Sequence, residues 1–245
     1  MALQLDTASR HGRGGVIRTI PGAAGLAGVS RHCIAILGGS FDPVHSGHVA
    51  LAHHFVDLLK PDELRILPAG NPWQKHGLEA SGAQRVAMLE RAFQQQDVPV
   101  LIDQRELQST DPTFTIDTLR ALRAELGPVV SLVFLMGADQ LQHLDTWHGW
   151  RELFDFAHVC AAARPGFALD GPQVPDEVRQ AFEHRAGTPA QIRTTPQGKT
   201  FLAPNLAVDI SATEIRAALR QGKQPDTLVP HAVLDYIQQH HLYKS

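Results

Sequence analysis

Short apolar runs alternate with helical patterns along most of the chain. Residues 33–37 form an apolar run that ends in Gly38-Gly39, which predicts a buried parallel strand ending at a tight turn. Over residues 48–60 apolar positions recur every three or four residues and Pro61 follows, which predicts a helix. Further strands are predicted at 64–67, 98–102, 129–136 and 158–162, and further helices at 84–94 and 116–126. This alternation predicts an α/β fold with a parallel sheet covered by helices on both faces.

The two ends of the chain and one internal segment depart from this alternation. Residues 1–31 are rich in Gly, Ala and Arg without a helical or strand period, which predicts a mobile N-terminal extension before a single domain at 32–245. Residues 165–195 contain several prolines and mixed charge, and we interpret them as a peripheral insertion. Helical patterns at 211–221 and 230–240 predict a helical C-terminal part.

Composition narrows the class of protein. With 245 residues, 43% of them hydrophobic and 19% charged, the chain can bury a substantial core. A net charge of −3 provides no broad positive field, so a nucleic acid is not expected as a partner. No apolar stretch approaches the ~20 residues of a spanning helix and no compact signal region begins the chain, which favours a cytoplasmic protein without membrane contact. Cys33 and Cys160 lie in apolar runs and are predicted to be core residues of a protein in a reducing compartment.

The segment 38–48, GGSFDPVHSGH, lies between the first predicted strand and its helix. Its glycines allow backbone amides to approach a ligand, and the helix start at Gly47-His48 directs N–H groups and a positive dipole end towards an anion. His45 and His48 can both donate hydrogen bonds to phosphoryl oxygens. The alternatives are a simple glycine turn with solvated histidines, or a zinc site that also uses His53 and His54. No four-ligand spacing supports the zinc site.

A second informative segment is 209–216, DISATEIR. Ser211 followed by Glu214 matches a helix capping box, which by itself says only that a helix begins. A helix start is also a site for an anion, and Thr213 and Arg216 are one turn apart on the same face. A hydroxyl and a guanidinium could therefore contact the same phosphate chain.

Together, the two segments resemble the paired signature of the HxGH nucleotidyltransferase superfamily, and residues 33–243 are similar to bacterial nicotinate-mononucleotide adenylyltransferases. The resemblance implies a Rossmann-like, doubly wound parallel sheet. It also implies that Mg²⁺-ATP and nicotinate mononucleotide are the substrates, and that deamido-NAD and pyrophosphate are the products, a reaction of NAD biosynthesis.

The resemblance also assigns roles to residues that match the family motifs. His45 and His48 are the expected catalytic residues, in contact with the ATP phosphates. Asp139 is expected near the nucleotide sugar, where a carboxylate can accept hydrogen bonds from ribose hydroxyls, although its alternative is an ordinary N-cap. The remaining residues expected to bind ATP are Gly39, Ser40, Phe41, Ile210, Ser211, Thr213 and Arg216.

Three further residues are expected to bind nicotinate mononucleotide. In the resembling enzymes an aromatic side chain at the position of Trp147 stacks on the nicotinate ring, and backbone amides near Thr115 help to bind its carboxylate. Lys75 lies in a polar loop where the family commonly carries a basic residue near phosphate. The alternatives are a core position for Trp147 and a plain surface loop for Lys75.

Two other functions fit the same motifs. The phosphate segments do not distinguish nicotinate mononucleotide from nicotinamide mononucleotide, phosphopantetheine or a flavin mononucleotide as acceptor. A nucleotide-binding sensor that keeps the cleft without turnover is the alternative from another class. The sequence does not fix the oligomeric state, and it allows a homo-oligomer.

Overall fold

A parallel sheet of seven strands forms the centre of the part of the chain that the structure describes. The structure is a computed structural model, and it describes residues 17–20, 32–70, 77–204, 206 and 210–244. The strand order is β1-β4-β3-β2-β5-β6-β7. In chain order the strands are β1 (Ile17–Ile20), β2 (Cys33–Gly39), β3 (Glu63–Pro68), β4 (Val100–Asp103), β5 (Ser131–Gly137), β6 (His158–Ala162) and β7 (Thr200–Ala203).

Eight α-helices within the described residues connect and cover these strands. They are α1 (Ser46–Leu59), α2 (Gly82–Ala92), α3 (Thr115–Leu126), α4 (Leu153–Phe156), α5 (Asp176–His184), α6 (Pro189–Thr194), α7 (Ala212–Arg220) and α8 (His231–Gln239). None of the helices in the described ranges is both long and apolar enough to cross a membrane.

Alternate residues of β2 contribute to two separate hydrophobic clusters, one on each face of the sheet. Cys33, Ala35 and Leu37 pack in the cluster that receives side chains from α1, α2, α6, α7 and α8. Ile34 and Ile36 pack in the cluster with α3, α4 and α5. Because a strand directs successive side chains to opposite faces, a sheet covered on both faces requires the continuous apolar run that β2 shows. The predicted doubly wound α/β fold and its helical C-terminal part are confirmed.

The two cysteines are core residues, as predicted. Cys33 of β2 and Cys160 of β6 are both free and fully buried, and they pack in the same cluster on one face of the sheet. Burial raises the pKa of each thiol above its ordinary value, because the thiolate loses its hydration. Both side chains therefore behave as small hydrophobic groups.

Some strands differ from the sequence prediction. The strand predicted at 129–136 begins only at Ser131, and Val129 is 64% exposed. Strand β7 was not predicted. Residues 17–20, which fall in the predicted mobile extension, form strand β1 and pair in parallel with β4, whereas the rest of 1–31 lies outside the described residues. Short edge strands carry few apolar positions, so hydrophobic periodicity gives little signal for them.

The interpretation of 165–195 as a peripheral insertion is wrong. Val178 and Phe182 of α5 are buried in the second cluster, and Ile192 of α6 is fully buried in the first. The Ser131 hydroxyl donates to the Ile192 carbonyl at 2.7 Å, and the Thr200 hydroxyl donates to the Phe182 carbonyl at 2.6 Å. Two of the prolines in this segment stand at helix starts, Pro175 as the N-cap of α5 and Pro189 as the first residue of α6, a position that proline fits well.

Stability should fall at mildly acidic pH because of His158. Its ring is fully buried, Nε2 donates to the Thr195 carbonyl at 2.8 Å, and Nδ1 accepts from the Lys199 amide at 3.0 Å. This neutral form cannot take a second proton without losing the Lys199 hydrogen bond, and burial lowers the pKa of His158 below its ordinary 6.5. Below that ordinary value the unfolded chain binds a proton that the folded chain does not, so the stabilisation present at neutral pH is lost as the pH falls.

The measurement is the free energy of unfolding between pH 7.5 and pH 5. We expect His158 to contribute a slope of at most about 1.4 kcal/mol per pH unit. Replacement of His158 by Gln should lower stability at neutral pH and flatten this slope. If the His158→Gln protein shows the same slope as the wild type, His158 is not the source of this pH dependence.

Candidate active site

A cleft of about 370 Å³ lies at the carboxyl ends of the central strands, where the strand order reverses between β2 and β5. In open α/β sheets this reversal leaves a crevice in which ligands bind, because the helices that follow the two strands leave to opposite faces. The cleft walls come from the end of β2, the start of α1, the start of α3, the end of β5 and the residues before α7. The predicted site residues that line it are Gly39, Ser40, His45, His48, Thr115, Asp139, Trp147 and Ile210.

The start of α1 holds the two predicted catalytic histidines together. His45 is the N-cap of α1, and its backbone N–H donates to His48 Nδ1 at 3.2 Å. The two imidazole rings stack with their centroids 3.7 Å apart. Because Nδ1 of His48 accepts a hydrogen bond, the neutral His48 ring carries its proton on Nε2, where it can donate to a ligand. The helix start thus presents imidazole donors and the positive end of the helix dipole on one wall.

Phe41 does not line the cleft with its side chain. The ring is fully buried beneath the loop, 4.9 Å from the His48 ring centroid in an edge-to-face arrangement. A Cβ atom on Gly39 would lie 3.0 Å from the same ring. Phe41 thus supports the loop from below, and glycine at position 39 leaves room for the ring.

Asp42, which sequence reasoning did not single out, organises the loop from within. Its carboxylate is 3% exposed and accepts hydrogen bonds from the Glu79 amide at 2.8 Å, the Ala80 amide at 3.0 Å and the Tyr243 hydroxyl at 2.7 Å. Burial, followed by the nearby carboxylate, raises the pKa of Tyr243, so the hydroxyl stays protonated and donates. The three hydrogen bonds to this buried carboxylate come from two separate segments of the chain, Glu79-Ala80 and Tyr243. No local pattern in the sequence predicts such a set.

Helix α7 brings the second predicted phosphate segment to the same cleft. Ile210 and Ala212 line the cleft, and Ser211 is the N-cap of α7 without a side-chain cap hydrogen bond. The alternative that Ser211 serves only as part of a capping box is therefore not realised. Arg216 donates from Nη1 to the Asp42 carbonyl at 2.7 Å, which joins α7 directly to the loop before α1.

Thr213 and Arg216 lie behind the cleft wall rather than on it. Nη2 of Arg216 is 3.4 Å from the Thr213 hydroxyl, and Nε is 3.0 Å from the Glu79 carboxylate. Thr213 itself is exposed. The one-turn spacing thus places the hydroxyl and the guanidinium side by side, as the sequence predicts, and an ion pair with Glu79 orients the guanidinium.

Asp139 lies on the cleft wall after β5. It is exposed and accepts a hydrogen bond from the Gln140 side chain at 2.7 Å. The N-cap of its short 3₁₀ turn is Gly137, so Asp139 is not the N-cap that its alternative role would require. A Cβ atom on Gly137 would lie 2.4 Å from the Asp139 carboxylate, and glycine there allows the carboxylate to fold back beside the strand end.

Two of the residues predicted to bind the acceptor, Thr115 and Trp147, also line the cleft. Thr115 is the first residue of α3, and Trp147 is half-buried with its ring edge-to-face with Phe134 at 6.2 Å. Trp147 therefore packs on the core and also faces the cleft. Lys75 lies outside the described residues.

Two charged residues that line the cleft, Glu106 and Arg164, were not predicted as site residues from the sequence. Glu106 follows β4, and Arg164 follows the end of β6. Their position just after predicted strands could have indicated them, because the carboxyl ends of parallel strands meet at the edge of the sheet where ligands bind. Burial raises the pKa of Glu106, partly offset by a hydrogen bond from the Thr118 hydroxyl at 2.7 Å.

Across the ranges that the structure describes, no three His, Cys, Asp or Glu side chains are grouped so as to hold a metal ion.

Comparison with known proteins agrees with this geometry. A family model described as cytidylyltransferase-like matches residues 36–218. A protein of Herminiimonas arsenicoxydans named "probable nicotinate-nucleotide adenylyltransferase" is 68% identical over 213 residues, which cover 87% of this chain and 97% of the relative. A protein of the same name from Laribacter hongkongensis is 42% identical over 215 residues, which cover 88% of this chain and 96% of the relative.

Among solved structures, Plasmodium falciparum nicotinic acid mononucleotide adenylyltransferase complexed with NaAD superposes with a TM-score of 0.66. It covers 87% of this chain and 98% of its own at 19% identity, so the likeness supports the fold alone. The family match and the sequence relatives, each spanning most of the chain, lead to the conclusion that this chain belongs to the cytidylyltransferase-like family, among its nicotinate-nucleotide adenylyltransferases.

Proposed function

We propose that this protein transfers AMP from ATP to nicotinate mononucleotide, with deamido-NAD and pyrophosphate as products. The observation that carries the proposal is the meeting of two helix starts at one cleft. The start of α1, with its histidines, and the residues before α7 line the same walls, and Arg216 reaches the carbonyl of Asp42 in the loop before α1. A triphosphate between them would meet donors from both sides.

The proposed reaction is a direct in-line displacement. An oxygen of the mononucleotide phosphate forms a bond to the α-phosphorus of ATP. The bond from that phosphorus to the oxygen bridging the β-phosphate breaks, and its electron pair leaves with pyrophosphate. Because the attacking phosphate is already ionised at neutral pH, the protein needs no general base, and catalysis comes from alignment and charge stabilisation.

The residues of the cleft divide between these tasks. His48, with its proton on Nε2, and the stacked His45 would stabilise the charge that develops on the departing pyrophosphate. Asp139 would accept from the ribose of the nucleotide. Magnesium enters as part of the Mg²⁺-ATP substrate, since the ion prefers phosphate oxygens and keeps several of its waters.

The acceptor is proposed from two further residues that line the cleft, Trp147 and Thr115. Trp147 offers an aromatic face beside Phe134, and Thr115 opens α3, whose first amides can donate to a carboxylate. A flat nicotinate ring and its carboxylate match these two features. We further propose a cytoplasmic location without a nucleic-acid or membrane partner.

The test offers one acceptor at a time with Mg²⁺-ATP and follows release of pyrophosphate. We expect kcat/KM to be highest for nicotinate mononucleotide, ahead of nicotinamide mononucleotide, phosphopantetheine and flavin mononucleotide. A higher value for another acceptor would reassign the substrate. Saturable ATP binding without pyrophosphate release for any acceptor would instead support the nucleotide sensor.

A further inference from the structure

Glu106 is a carboxylate on the wall of a cleft that we propose for anionic substrates, and the proposed mechanism does not use it. It lies in a 3₁₀ turn, Arg105–Gln108, directly after β4. The turn is fixed at its start, because Asp103 accepts from the Arg105 amide at 3.1 Å and from Arg105 Nε at 2.8 Å. An acidic group in this place repels phosphates and carboxylates, so its presence calls for a compensating role.

The contacts of Glu106 connect two segments that approach the cleft from different strands. Its carboxylate accepts from the Thr118 hydroxyl of α3 at 2.7 Å and is also hydrogen-bonded by the Gly70 amide after β3. The backbones are in close contact as well, since a Cβ atom on Gly70 would lie only 1.8 Å from the Glu106 carbonyl oxygen. Glu106 therefore fixes the loop after β3 against the first turns of α3.

The first turn of α3 contains Thr115, which lines the cleft together with Thr118. A helix start can orient an anion only if its own orientation is fixed, and Thr118 lies less than one turn beyond Thr115. Resting on the proposed function, we infer that Glu106 is a positioning residue that holds the start of α3 in the orientation required for the acceptor, without touching the reacting atoms.

Steady-state kinetics of the Glu106→Ala protein test this inference. We expect KM for nicotinate mononucleotide to rise about tenfold or more, since misplacement of a substrate-binding element by about 1 Å can cost on the order of 100-fold. KM for ATP should stay within about threefold of the wild type, because Glu106 is hydrogen-bonded to Thr118 of α3, whereas the histidines and Ser211 proposed to bind the ATP phosphates stand at the starts of α1 and α7. Glu106→Gln, which keeps an acceptor oxygen for Thr118, should recover much of the loss.

Glu125→Ala is the matched control. Glu125 accepts from Arg105 at 2.6 Å, so it supports the same turn and carries the same charge, but its side chain is not on the cleft wall. Its removal should leave both KM values within about threefold. A purely structural or purely electrostatic role for Glu106 predicts that the two alanine variants behave alike, and that result would overturn the inference.

A double-mutant cycle with Thr118→Val provides a second readout that does not depend on the alanine variant alone. Valine keeps the shape of threonine but removes the hydroxyl donor. If the Glu106–Thr118 hydrogen bond transmits the effect, the double variant should be little worse than Glu106→Ala, whereas independent roles give multiplicative losses in kcat/KM. Multiplicative losses would contradict the inference.

These outcomes are separable from failure of the proposed function. If the wild-type protein releases no pyrophosphate with nicotinate mononucleotide, the proposed function is wrong. If the wild type is active and Glu106→Ala raises neither KM, or raises both equally, only the role of Glu106 is wrong.

Discussion

Replacement of His48 by Ala should reduce kcat by about 100-fold or more with little change in the affinity for ATP. The imidazole lines the cleft and carries its proton on Nε2, because Nδ1 accepts from the His45 amide at 3.2 Å. A donor that meets charge developing on the leaving pyrophosphate acts mainly in the transition state, and removal of one such donor costs about 2.7–4 kcal/mol in comparable sites. The measurement is kcat and KM for Mg²⁺-ATP at saturating acceptor.

Two variants control for damage to the helix start. His53→Ala removes an exposed histidine from the same helix and should leave kcat unchanged. In His48→Asn the side-chain oxygen can still accept from the His45 amide, but no donor reaches the position of Nε2, so this variant should be as impaired as His48→Ala. Turnover within about fivefold of the wild type in either His48 variant would contradict the assigned role.

Replacement of Asp42 by Ala should cause a large loss in the free energy of unfolding. The buried Ala80 amide and Tyr243 hydroxyl and the part-buried Glu79 amide would lose their acceptor. Each unsatisfied buried group costs about 1–3 kcal/mol, so we expect a total of about 3–5 kcal/mol, in the range measured when one partner of a buried charged network is removed.

Thermal unfolding provides the measurement for Asp42. A loss of this size should lower Tm by about 10 °C in a chain of this length. Tyr243→Phe removes only one of the three hydrogen bonds and should cost about 1 kcal/mol, and Asp42→Asn should fall between the two. Equal stability of Asp42→Ala and the wild type would mean that the three donors find other partners.

The part of the fold predictable from the sequence was the part with long apolar runs. The central strands β2, β5 and β6 are buried on both faces, so apart from Ser131 and His158, which begin β5 and β6, they contain no polar side chain. Such strands are recognisable without their neighbours. Strand β7 and helix α6 have only four and six residues, too few for a period to stand out. Their positions depend on contacts with distant segments, such as the hydrogen bond from Ser131 to the Ile192 carbonyl.

The candidate site likewise contains residues that local sequence predicts and residues that it does not. His45, His48 and Ser211 stand at helix starts, and local sequence marks helix starts through glycine, proline and capping residues. Asp42 acts through partners at least 37 positions away in the sequence, so it carries no local signature, whereas Glu106 is marked only by its place just after a predicted strand. The positions of Ser211, Thr213 and Arg216 relative to a bound phosphate chain stay a prediction.

The hydrogen bond between Asp42 and Tyr243 spans 201 positions of the chain. A ribosome therefore releases the histidine loop early in translation, long before the tyrosine that completes its inner support has been synthesised. Until the last helix has emerged and docked, the Asp42 carboxylate must take its hydrogen bonds from water or from nearer amides. The supported conformation of the histidine loop can therefore form only after Tyr243 has been synthesised.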